Sequence, residues 1–114
     1  MDNKRKEERE KVSGSFRIYD KITGQLIGTL ADISTTGMMI VCEKSVETNI
    51  FQLRMDLPIE INGSKQIDFE AECTWCTKGV VPNFYCAGFR FLSFSPSDVQ
   101  TIKLCIKQTT VESN

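Results

Sequence analysis

Two short clusters in this 114-residue chain carry side chains suited to recognition chemistry. The first is Asp32-Ile33-Ser34-Thr35-Thr36-Gly37, a polar insertion between two apolar runs. Asp32 and Ser34 carry oxygens that can bond nearby backbone N–H groups, and Gly37 can take the positive φ that tight turns often demand. The second is Arg5-Lys6-Glu7-Glu8-Arg9, which brings two guanidiniums at a four-residue spacing. A guanidinium is a planar, permanently charged fork. Taken singly, each cluster has a plain reading. The first is a reverse turn; the second belongs to a solvated tail in which Glu7, Glu8 and Glu10 balance the cations.

The rest of the composition narrows the chemistry. There is no histidine, which removes the commonest general base together with most hydrolase triads and catalytic zinc sites. The expectation is therefore not an enzyme. A formal net charge of −1 argues against a protein that coats DNA or RNA, so no nucleic-acid partner is expected and any bound anion should be small and locally recognised. Five cysteines, Cys42, Cys73, Cys76, Cys86 and Cys105, are an odd number without a secretory signal, which favours reduced thiols over a disulfide framework. Cys73-x-x-Cys76 has the spacing of a metal or redox pair, yet it lies in an alternating strand where residues three apart face opposite sides, with the other thiols scattered. It reads as structural, and no metal or cofactor is expected.

Those side chains must be positioned by something, and the chain is long enough for one core. Residues 1–11 are almost wholly charged and polar and cannot bury enough surface to offset their ordering entropy, so they read as a flexible N-terminal arm. From Val12 the pattern changes. Ser15 to Tyr19 and Gln25 to Ala31 form a hairpin about the Lys21-Ile22-Thr23-Gly24 turn, and Met38 to Cys42 is a third strand. Phe51, Leu53, Met55, Leu57, Ile59 and Ile61 alternate with polar residues, with Pro58 marking an edge or bend. Asn62-Gly63 turns this strand into the next, where Ile67, Phe69, Ala71, Cys73 and Trp75 share a face. Phe84 to Leu92 is a sixth strand. Ser95-Pro96-Ser97-Asp98 opens a helix in which Val99, Ile102 and Ile106 recur at helical spacing.

Successive strands with short turns and one terminal helix describe a mainly β fold, a six-stranded antiparallel β-barrel with a C-terminal α-helix over residues 12–108 and a disordered tail at 109–114. No apolar run is long enough to span a bilayer, and the charged N-terminus is followed by no apolar segment. A cytoplasmic protein without membrane insertion is expected.

Together, Arg5-x-x-x-Arg9 and Asp32-x-Ser34-x-x-Gly37 resemble the signature of the PilZ domain, the bacterial receptor module for cyclic di-GMP. The resemblance runs from about Lys4 to about Gln108 and includes Ala87-Gly88-Phe89-Arg90-Phe91, which looks like the family's late Gly-x-x-Phe strand. It implies a PilZ-type barrel whose ligand is cyclic di-GMP. On that reading Arg5 and Arg9 would hold guanine O6/N7 edges and phosphates, Asp32 and Ser34 would accept from the guanine N1–H and N2–H2 edge, and Gly37 would let the backbone approach the base. Lys4, just before the first arginine, bears on whether one nucleotide or an intercalated pair binds, and Trp75 could stack a base.

The function implied by the resemblance is a stand-alone cyclic di-GMP receptor that orders its arm on binding and signals through an unidentified effector protein. A nucleotide-independent adaptor of the same fold is the alternative. A monomer is expected, with a dimer as the other possibility.

Overall fold

The computed structural model describes residues 10–12, 16–61 and 63–112. Its strands are β1 (Glu10–Lys11), β2 (Arg17–Asp20), β3 (Leu26–Ile33), β4 (Gly37–Cys42), β5 (Ile50–Ile61), β6 (Ser64–Lys78) and β7 (Tyr85–Ser93), and they are followed by one helix, α1 (Pro96–Glu112). Six of these strands close a barrel in the order β3-β2-β5-β6-β7-β4, with β4 returning to β3, and every pairing is antiparallel. Closure gives each of the six strands a partner on both sides over part of its length.

The core is the inner face of that barrel. Ile18, Leu30, Ile33, Met38, Ile40, Leu53 and Met55 are fully buried, each pointing inward from its strand. The expected strands form with their turn chemistry. Gly24 and Gly63 carry φ of +80° and +81°, where a side chain would be strained, and the Asp20 carboxylate accepts the Ile22 N–H at 2.8 Å across the first turn. Pro58 lies in an irregular part of β5: pairing with β6 passes from Asp56↔Gln66 to Ile61↔Ser64, so five steps of β5 face two of β6. That is the bend expected of a proline, which cannot donate to the ladder.

At the start of α1, Ser95 Oγ accepts the Asp98 N–H at 3.0 Å while Asp98 reaches back to the Ser95 N–H at 3.4 Å, a reciprocal cap. Val99, Ile102, Cys105 and Ile106 are buried, and Cys105 Sγ lies 3.9 Å from the Ile59 carbonyl, which seats the helix on β5. No helix among the described residues is long and apolar enough to cross a membrane.

Glu10 and Lys11, at the end of the expected arm, pair with Ile33 and Asp32 of β3. The helix α1 runs on to Glu112, into the expected tail. In both places backbone hydrogen bonds take in polar residues that hydrophobic patterning leaves out.

Candidate ligand site

The turn between β3 and β4 is built by Ser34. Its N–H donates to the Gly37 carbonyl at 2.9 Å, and its fully buried Oγ accepts the Thr36 and Gly37 N–H groups, each at 3.3 Å. The hydroxyl therefore holds the turn shut. The Thr36 carbonyl in turn accepts the Phe91 N–H at 2.9 Å, which ties the turn to β7.

Gly37 departs from expectation in its conformation. Among the described residues the glycines with positive φ are Gly24 and Gly63, not Gly37. What requires a glycine here is space, because a Cβ at Gly37 would collide with the Phe89 carbonyl oxygen of β7.

Strand register then assembles a surface. Asp32 of β3 pairs with Met39 of β4, Met39 with Gly88 of β7, and Gly88 with Trp75 of β6. Directly opposed residues share a face. Met38 and Ile40 fill the core, so Met39 and its row lie on the outer wall. The Trp75 indole lies over Gly88, where any Cβ would run into the ring, and Trp75 itself is 40% exposed. The row is a floor that carries the Asp32 carboxylate on β3 and the Trp75 indole on β6.

Both end residues owe their orientation to a bulge. On β3 the register shifts between Leu30 and Asp32, and on β6 between Cys73 and Trp75. One extra residue in each strand, Ala31 and Thr74, reverses the alternation and re-aims the next side chain. This corrects two expectations. Trp75 does not share the face of Ile67, Phe69, Ala71 and Cys73 but points outward. Cys73 and Cys76 do not face opposite sides: Cys73 is buried and Cys76 packs against the same core, where its Sγ accepts the Val46 N–H at 3.4 Å.

Four of the five thiols are neighbours, and Cys105 stands apart on α1. Cys42 is buried, and its pKa is pushed up to about 12, first by burial and then by the neighbouring Cys76, Cys73 and Cys86. Burial also raises the Cys73 and Cys105 thiols. All five cysteines are free, and among the described residues no three His, Cys, Asp or Glu side chains are grouped to hold a metal ion.

Of the expected site residues, the fold brings Asp32, Ser34, Gly37 and Trp75 to one region of the outer wall. Asp32 is only 6% exposed there. Arg5, Arg9 and Lys4 lie outside the described residues. The strand that follows them in the chain is nonetheless placed, with Lys11 opposite Asp32, so the row extends across β1. Sequence reasoning missed Met39 and the floor role of Gly88. Neither has a polar side chain to announce it, and only the register of four strands puts them between Asp32 and Trp75.

The model of the PilZ domain matches residues 3–108, and the chain belongs to the PilZ domain family. Among solved structures, the chain is similar to the PilZ domain of YcgR from Escherichia coli with c-di-GMP, at 17% identity and a TM-score of 0.68, over 97% of this chain and 95% of that one. It also resembles Escherichia coli YcgR in complex with c-di-GMP (19% identity, TM-score 0.65, 96% of this chain and 47% of that one). A third likeness is to the Bacillus subtilis inhibitor of motility MotI/DgrA (17% identity, TM-score 0.66, 98% of this chain and 54% of that one). The chain spans about half the length of the last two proteins. At these identities the likeness speaks for the fold. No curated protein matches by sequence.

Proposed function

We propose that this chain is a receptor for cyclic di-GMP that acts by ordering its N-terminal segment on the ligand and presenting the result to a partner protein. The observation that carries the reading is the outer-wall row Asp32–Met39–Gly88–Trp75, with the Ser34-built turn beside it and the chain entering at Lys11 opposite Asp32. Support also comes from the two YcgR structures, which hold this ligand on the same fold.

The chemistry of the ligand suits these groups. Each guanine presents an N1–H and N2–H2 edge that a carboxylate accepts, and its O6/N7 edge accepts a guanidinium fork. In this reading Asp32 takes the first edge, while Arg5 and Arg9 supply forks to the second edge and to the phosphates. Trp75 offers a ring face for stacking at the far end. Ser34 and Gly37 act through shape, since the hydroxyl locks the turn and the glycine lets it lie against β7. Lys4 bears on whether one nucleotide or two are held. None of these roles requires a bond to be made or broken, and the protein acts without a catalytic step.

Ordering a charged segment costs free energy, so the affinity is sub-micromolar to micromolar and weakens with salt. The test is a calorimetric titration of cyclic di-GMP into the wild type, Arg9→Ala and Asp32→Ala, with a thermal melt of each. Saturable binding lost in both variants at unchanged melting temperature supports the receptor. No binding by the wild type leaves the nucleotide-independent adaptor in its place.

A further inference from the structure

We infer that Arg90 is an additional anion-binding residue of this site, held by Glu72 in the free protein and released to a ligand phosphate. The inference rests on the cyclic di-GMP reading above. Arg90 of β7 stands directly opposite Gly37 of β4 on one side and Glu72 of β6 on the other. The row Gly37–Arg90–Glu72 thus runs beside the floor Met39–Gly88–Trp75, two residues further along each of β4 and β7, or roughly 7 Å away. The opposite flank of the floor is Val41–Cys86–Thr77, which carries no charge. A dianionic ligand lying on the floor therefore meets a cation on one flank and not on the other.

Arg90 can make the exchange. Its Nη2 donates to Glu72 Oε1, with the two side chains 60% and 36% exposed. Exposed pairs of this kind hold weakly, and a guanidinium fork matches phosphate geometry at least as well as it matches a carboxylate. Once released, Glu72 returns to water and no charge is left buried. Gly37, with no side chain, leaves the guanidinium unscreened on the side of the Asp32 turn. The pair between Arg54 and Asp68 is a built-in contrast. It is doubly bonded at 2.8 and 3.3 Å, gains Lys21 at 3.1 Å, and bridges β5 and β6 four residues before Glu72. Its row contains no residue of the site.

The test titrates cyclic di-GMP into the wild type, Arg90→Gln, Glu72→Gln and Arg54→Gln at two salt concentrations, with a melt of each. Arg90→Gln should weaken binding roughly tenfold or more. It should also lower the slope of log affinity against log salt by about one. Glu72→Gln should tighten binding several-fold, because the competing carboxylate is gone, and Arg54→Gln should leave it unchanged. If the wild type binds and Arg90→Gln matches it within twofold at the same salt slope, the inference is overturned while the receptor reading stands. Should the wild type itself not bind, both fall.

Discussion

Asp32 and Trp75 stand in register across four strands, linked through Met39 and Gly88, although they are far apart in sequence and lie on strands that never pair. Each sits one position beyond a bulge, and each bulge turns outward a side chain that simple alternation would have buried. The barrel wall between them spans roughly 14 Å.

Trp75 is the only tryptophan, and it is partly exposed at the end of this row. Cyclic di-GMP stacked there should change its emission saturably, and the change should be absent in Asp32→Ala. Trp75→Ala should weaken binding by about 1–3 kcal/mol while leaving the melting temperature nearly unchanged. A loss of stability matching the loss of affinity would make the indole a structural cover for Gly88 instead.

Gly37→Ala and Gly88→Ala separate two kinds of close approach. At Gly37 the obstacle is a backbone carbonyl that cannot move without opening the β4–β7 ladder, so the variant should lose about 1–3 kcal/mol in urea denaturation. At Gly88 the obstacle is the Trp75 side chain, which can swing into solvent. That variant should keep most of its stability but shift tryptophan emission to the red. Equal losses in the two would contradict the distinction.

The Cys42 thiol predicts a loss of stability in alkali. Its folded pKa of about 12 lies above the ordinary 9.0, so between those values the unfolded chain has released a proton that the folded chain retains. The Cys42 contribution to stability is therefore intact below pH 9 and is lost progressively as pH rises from 9 towards 12. Urea midpoints measured at pH 8 and 10.5 should fall further for the wild type than for Cys42→Ala. In thiol labelling at pH 8, Cys42 should react after the half-buried Cys76 and Cys86.

Ser95→Ala removes the acceptor for the Asp98 N–H and should cost about 1 kcal/mol, whereas Ser97→Ala, within the first helical turn, should cost less. The measurement is the denaturant midpoint, with helix content by circular dichroism as the check that α1 still forms.

Much of this protein is legible in one dimension because its signals are local. Alternation over Phe51–Ile61, the glycine turns at Gly24 and Gly63 and the Ser95–Asp98 cap each depend on residues within a few positions of one another, and each forms as read. The pairing of an Arg-x-x-x-Arg segment with an Asp-x-Ser-x-x-Gly turn was enough to bring the PilZ family into view, because both motifs are short and contiguous. What alternation could not reveal are the bulges at Ala31 and Thr74. A bulge is decided by how a strand must bend to meet its neighbours around a closed barrel, and nothing in the strand's own residues requires it. The extra residue at Ala31 turned Asp32 outward, and the one at Thr74 placed Trp75 outside and Cys76 inside. Closure brought Met39, Gly88 and Arg90 between distant motifs, and a β7 carbonyl, rather than a turn angle, demanded glycine at position 37. Sequence set which segments become strands and which residues could bind, since those follow from local chemistry; tertiary structure alone decided which faces they share, because register around a barrel is a property of all six strands at once.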